Sequence, residues 1–204
     1  MVIGLTGGIA TGKSTVSRML AERGAHIIDA DQVAREVVEP HTEGWHRIRA
    51  RFGKEVFHPD GTLNRQALGA RVFRDAEARE TLNQMLHPLI VEQMQILTKR
   101  WRERDPDGIV VWDTPLLIEG NLTKSVEKVI VVYVPESLQL QRLMARDGLS
   151  EEEARRRIAS QISIEEKKRF ADFLIDNSGN LAETERQVDQ IWKLLNSKNG
   201  YDRR

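Results

Sequence analysis

The chain has 204 residues, of which 31 are basic, 31 acidic and none cysteine. Such a length can bury a sizeable core as one domain or as one domain with insertions, and the balanced charge supplies no general positive field for nucleic acid or an anionic membrane. Without cysteine, disulfides, thiolate catalysis and Cys-ligated metals are excluded.

Val2-Ile3-Gly4-Leu5 is a short apolar run that leads into Gly7-Gly8-Ile9-Ala10-Thr11-Gly12-Lys13-Ser14, after which Val16, Met19 and Leu20 recur at helical spacing up to Gly24. Glycine, any four residues, glycine, lysine and serine between a strand and a helix is the pattern of a phosphate-binding loop. Glycines let successive backbone N–H groups curl around an anion, and the helix N-terminus adds partial positive charge. Lys13 is then a mobile cation for terminal phosphates, and the Ser14 hydroxyl a ligand for Mg²⁺.

Ala25-His26-Ile27-Ile28 reads as a second strand that ends in Asp29-Ala30-Asp31. Ligands of open parallel sheets bind beyond the carboxyl ends of strands, where these acids fall. If the strand continues, Asp29 and Asp31 share a face; otherwise one of them caps the next helix.

Between Gln32 and Arg104 strand signals disappear. Val33 to Val38, then Trp45, Ile48 and Phe52 up to Gly53, are short helical patterns, followed by a His58-Pro59-Asp60-Gly61 turn. Two further helices are predicted, one with Leu82, Met85 and Leu86, and one from Pro88 to Arg104 with proline in its first turn. About seventy residues far exceed an ordinary crossover between strands, so this is an inserted helical unit suited to a second substrate. His87 is a substrate-ligand candidate beside a structural alternative.

Ile109-Val110-Val111-Trp112 is a buried strand ending at Asp113, whose carboxylate can act on Mg²⁺ directly or through water. Thr114 to Gly120 forms a loop, with Glu119 a substrate or structural acid. Lys128 to Val134 is the strongest strand, stopped by Pro135. The helix after it places Leu138, Leu140, Leu143 and Met144 inward and carries Arg142 and Arg146 four apart on one face. Ser150 and Ser163 open two short helices with capping-box spacing to Glu153 and Glu166. Arg155 and Arg156 suit ion pairs with Glu151 to Glu153, and Arg142 is preferred as the arginine for charge on a transferring phosphoryl group. Phe173 to Asn177 is a last strand, and the terminal helix turns Val188, Ile191, Trp192 and Leu195 inward before a polar tail from Asn199.

Five strands alternating with helices predict an α/β three-layer sandwich on a parallel sheet, a P-loop nucleoside-triphosphatase fold. The expected division is a nucleotide-binding core of 1–32, 109–137 and 168–204, a helical substrate domain of 33–108 and a lid of 138–167.

Leu5-Thr6-Gly7-Gly8-Ile9, the phosphate loop, Ile28-Asp29-Ala30-Asp31, His87-Pro88, Pro115-Leu116-Leu117-Ile118-Glu119, Gln141-Arg142 and Ile175-Asp176-Asn177-Ser178-Gly179 together resemble the dephospho-coenzyme A kinases in order and spacing. Ala10 departs from the family's usual glycine and Ile118 from its usual phenylalanine. The resemblance implies ATP-dependent phosphorylation of the ribose 3′-hydroxyl of dephospho-coenzyme A, with Mg²⁺. It implies catalytic roles for Asp31, Lys13, Arg142 and Thr6, and nucleotide contacts from Gly8, Ala10, Thr11, Gly12, Lys13, Ser14 and Thr15. Asn177 and Gly179 resemble the adenine-side wall, Ser14 and Asp113 the metal-binding pair, and Asp31, His87, Leu116 and Glu119 the substrate contacts.

Another small kinase acting on a nucleoside or nucleoside monophosphate is the nearest alternative. A nucleotide-binding switch is the alternative of a different class, but Asp113-Thr114-Pro115-Leu116 lacks a switch glycine and Asn177-Ser178-Gly179-Asn180 lacks the lysine of a guanine site. No apolar run reaches membrane-span length and the first residues lack a signal-peptide order, so a cytoplasmic location without a membrane partner is expected. The balanced charge gives no reason to expect a nucleic-acid partner, and a monomer or weak homo-oligomer is expected.

Overall fold

The structure, a computed structural model, describes residues 1–199. Most of the predicted polar tail, 200–204, lies outside the described residues. Two compact units make up the chain: Met1–Ile28 with the described chain from Trp101 on, and Asp29–Arg100.

In the first unit β1 (Val2–Gly7) leads through the glycine loop into α1 (Lys13–Glu22) and on to β2 (His26–Asp29). After the helical unit the chain returns as β3 (Val110–Asp113) and β4 (Lys128–Tyr133), then β5 (Phe173–Asp176). The sheet order is β2-β3-β1-β4-β5. β1 runs parallel to both β3 and β4, and β4 parallel to β5. All six residues of β1 are buried, as expected of a central strand covered on both faces. Ile3, Leu5, Val111, Ile130, Val132 and Ile175 of the sheet pack with Val16 and Leu20 of α1 and with Val188 and Leu195 of α9 (Leu181–Asn199).

Between β4 and β5 stand α6 (Glu136–Asp147), α7 (Glu151–Ile158) and α8 (Ile164–Lys168). Ser150 and Glu153 form the full capping box, whereas Ser163 is seen accepting from the Glu166 N–H. Leu143, Ala154 and Ile158 make a small core of their own, against which Ile9 and Ala10 of the glycine loop pack.

The second unit holds α2 (Ala30–Glu36), α3 (Glu43–Phe52), α4 (Arg65–Arg74) and most of α5 (Ala76–Arg104). Its core is Val38, Ile48, Phe52, Val56, Leu68 and Ala78. The hydrophobic spacing misses α4, which offers the core only Leu68 and the half-buried Val72 and carries a helix-weakening Gly69 between them.

The sequence also predicts a break in the long helix at Pro88, and there the structure corrects it: α5 runs unbroken through Pro88. Proline removes one backbone N–H and crowds the carbonyl one turn earlier, a cost of about 3 kcal/mol in a helix interior. Here Pro88 lies with Glu80, Asn83, Gln84 and His87 on the exposed side, where an unbonded carbonyl meets solvent, while Leu82 and Leu86 pack on the core of the helical unit.

Candidate active site

The glycine loop is held in shape by side chains from distant parts of the first unit. Thr11, fully buried, donates its hydroxyl to Gly8 O at 2.9 Å. Gln139 of α6 donates to Ile9 O at 2.8 Å. Asn177, just beyond β5, donates Nδ2 to Thr11 O at 2.8 Å and accepts from Thr184 Oγ1 at 2.7 Å. These amides explain two of the glycines: a Cβ at Gly8 would collide with Gln139 and one at Gly12 with Asn177. Gly12 also has φ 86°, a left-handed conformation that other residues adopt at a cost of about 1–2 kcal/mol. Ala10 bears that cost at φ 60°, and its methyl packs onto the Leu143 cluster in return.

Helix α1 begins on Gly12 with no side-chain cap and no acid in its first turn. Its first backbone donors and the positive end of its dipole therefore face the loop unneutralised, as an anion site requires. Lys13, Ser14 and Thr15 open this helix, with Ser14 exposed and Thr15 half-buried.

Lys13 forms an ion pair with Asp113. The register explains the meeting: Asp113 ends β3 opposite Leu5 of β1, two residues before the loop starts at Gly7. Beyond Asp113 the chain is pinned again, by Thr114 N–H to Leu5 O at 3.0 Å and by Thr6 Oγ1 donating to Pro115 O at 3.1 Å. Thr6 is fully buried, and its hydroxyl proton is given to the loop after β3. Among the described residues no cluster of three or more His, Cys, Asp or Glu could hold a metal ion alone. Ser14 and Asp113 are a sparse set of hard oxygen donors, which fits Mg²⁺ that keeps waters and fills its shell from phosphate.

Arg142 of α6 donates to Asn177 O at 3.0 Å, so it stands with the amide that clamps the loop. The turn after β5 is closed by Ser178 N–H on Asp176 Oδ1 at 2.8 Å, with Gly179 exposed at its tip. Arg155 pairs with Glu151 and Arg156 with Glu152, the exposed helix-surface pairs that the spacing predicts. Leu116 is 48% exposed beside the fully buried Leu117.

Glu119, left open between two roles, has the contacts of a structural acid. Its carboxylate meets Lys167 Nζ at 2.9 Å and accepts from Ile162 N–H at 3.3 Å. Lys167, Gln139 and Thr184 escape the sequence reading. Gln139 alone leaves a trace, a polar residue one helical turn before Leu143 on the apolar stripe of its helix.

β2 ends at Asp29, the first residue of the second unit, and does not continue to Asp31, contrary to the shared strand face. Asp29 is instead the N-cap of α2, its carboxylate accepting from Asp31 N–H at 2.8 Å and Gln32 N–H at 3.3 Å. Those local bonds outcompete extension of an edge strand. Asp31 is left in the first turn of α2, exposed. His87 is exposed on α5.

An uncapped helix behind a glycine loop, a loop lysine and a strand-end carboxylate are the working parts of a P-loop phosphotransferase. Comparison with known proteins narrows the class. The family model of CoaE, dephospho-CoA kinase, matches residues 1–183. The dephospho-CoA kinase of Halalkalibacterium halodurans is 50% identical over 198 residues, covering 96% of this chain and 98% of that one. Among solved structures, TT1252 from Thermus thermophilus aligns with a TM-score of 0.78 at 31% identity, covering 96% of this chain and 97% of that one. Dephospho-CoA kinase from Campylobacter jejuni aligns at 0.72 and 32%, covering 97% and 98%. The chain belongs to the dephospho-CoA kinase family.

Proposed function

We propose that this chain transfers the terminal phosphoryl group of ATP to the ribose 3′-hydroxyl of dephospho-coenzyme A, giving coenzyme A and ADP, the last step of coenzyme A synthesis. The observation that carries the transfer chemistry is Lys13 paired with Asp113 at the mouth of the uncapped α1. Family membership names the acceptor.

Phosphoryl transfer asks a protein for alignment and charge neutralisation more than for covalent chemistry. The loop N–H groups and Lys13 hold the phosphates of ATP, and Arg142 meets the charge that spreads as the phosphoryl group moves. Ser14 and Asp113 would hold Mg²⁺, which would supply further positive charge to the phosphates. Asp31 orients the acceptor hydroxyl and takes its proton. Its support is its place just after the carboxyl end of β2, with no side-chain hydrogen bond or ion pair among the described residues to occupy it.

The helical unit receives dephospho-coenzyme A, and 138–167 serves as the lid that brings Arg142. A cleft of about 330 Å³ in the helical unit combines apolar Val37, Leu89 and Ile96 with Glu36, Glu43 and Glu92. Carboxylates repel phosphate, so this cleft suits the uncharged pantetheine arm.

Removing Arg142 tests its share of the work. Arg142→Ala is expected to lower kcat about 10²–10³-fold while KM for dephospho-coenzyme A changes a few-fold, as for a contact made chiefly in the transition state. An effect confined to acceptor KM would place Arg142 in the substrate site instead. For the reaction as a whole, the test is ADP release from ATP-Mg²⁺ across a panel of acceptors. Dephospho-coenzyme A should be used and nucleosides, nucleoside monophosphates and sugars ignored; the reverse pattern would favour a nucleoside kinase.

A further inference from the structure

Lys167 of α8 is fully buried, an unusual place for an ammonium. Its Nζ donates to Pro115 O at 2.5 Å and lies 2.9 and 3.3 Å from the two oxygens of Glu119. Pro115 O also accepts from Thr6, and Glu119 from Ile162 N–H. One cation thus joins the end of β1, the loop after β3 and the α7–α8 connection.

Burial pushes the Lys167 ammonium below its usual value, the Glu119 hydrogen bond and charge oppose this, and the like charge of Lys13 lowers it further. Taking an ion out of water costs several kcal/mol, and apolar replacements of a buried pair are often neutral or stabilising. Stability alone therefore gives little reason for a charge at this point.

We propose that Lys167 is a positioning residue for phosphoryl transfer, which holds Pro115 and Glu119 and thereby keeps Asp113, two residues before Pro115, aligned with Lys13 and the glycine loop. This rests on the kinase reading above. With no exposed surface, Lys167 does not touch nucleotide, so its effect falls on the rate and not on binding. A displacement of about 1 Å at a reacting group can cost about 10²-fold in rate.

The test is the double variant Lys167→Met with Glu119→Gln, which removes one charge of each sign and strands neither. The expected result is a Tm within a few degrees of wild type, a KM for ATP within about three-fold and a kcat about 10–100-fold lower. Rescue supplies the second readout. In a chain without cysteine, Lys167→Cys can be alkylated selectively by 2-bromoethylamine while unfolded and then refolded, which restores an ammonium on a stem of nearly the same length. Most of the kcat lost by unalkylated Lys167→Cys should return.

A double variant with wild-type kcat, or alkylation that restores Tm without kcat, would overturn the role. If the double variant does not fold, Glu119→Gln, which leaves the Lys167 ammonium without its counter-charge and should lower Tm, decides at a temperature well below its own Tm: kcat per folded protein about five-fold or more lower at an unchanged KM for ATP supports the role, and wild-type kcat overturns it. Wild-type protein run in parallel separates the two levels, since a wild type inactive on dephospho-coenzyme A would overturn the kinase reading itself.

Discussion

Lys13→Met is expected to lower turnover of ATP with dephospho-coenzyme A about a thousand-fold, the usual effect of deleting one preorganised donor from a site where charge develops. Methionine keeps most of the stem and removes the ammonium alone. The structure adds a second consequence, because Lys13 is the ion-pair partner of Asp113, whose side chain is only 8% exposed. Leaving that carboxylate without its partner should cost about 1–3 kcal/mol of stability. Asp113→Asn in the same chain should return most of this stability and none of the turnover. Steady-state ADP release and thermal melts measure the two effects separately, and a wild-type kcat in Lys13→Met would refute the role.

The second large effect is expected at Asp31. Asp31→Asn should depress kcat about 10²–10⁴-fold if its carboxylate orients the hydroxyl and accepts the proton. Its cost to the fold should be small: Asp31 is exposed in the first turn of α2, where a negative charge on the helix dipole is worth about 0.3–1 kcal/mol. Its neighbour gives the opposite profile. Asp29→Ala removes the N-cap of α2 and should cost about 1 kcal/mol of stability, with turnover near wild type. Melting curves and kcat for the two variants therefore test whether capping and catalysis are divided between the two aspartates. Equal effects on both quantities in both variants would contradict that division.

What could be read in the sequence was whatever local physics controls. Buried strands in a parallel sheet must be apolar on both faces, so β1, β3 and β4 appear as short runs of Val, Ile and Leu, and the glycine loop declares itself because so few residues tolerate its backbone. Strand order stayed hidden, since apolar runs mark strands without marking their neighbours. α5 is misread because the rule against interior proline is local, whereas the packing of Leu82 and Leu86 on the core of the helical unit is tertiary.

The same holds within the site. Lys13, Ser14 and Asn177 stand in legible motifs, but the long-range contacts that brace the site do not: Asn177 meets Thr11 across 166 residues, and Lys167 meets Glu119 across 48. Asp29 and Asp31 illustrate the limit in miniature. The sequence placed two carboxylates at the end of β2, and the N–H groups captured by Asp29 decided which of them became the cap.

The central claim is that the phosphoryl group is delivered to the ribose 3′-hydroxyl of dephospho-coenzyme A, and the most direct measurement is the position of phosphate in the product. Protein incubated with ATP, Mg²⁺ and dephospho-coenzyme A should yield one ADP per product molecule, and phosphorus–proton correlation in the NMR spectrum should couple the new phosphate to the ribose H3′. Phosphate on any other hydroxyl, or ADP formed with dephospho-coenzyme A left unchanged, would contradict it.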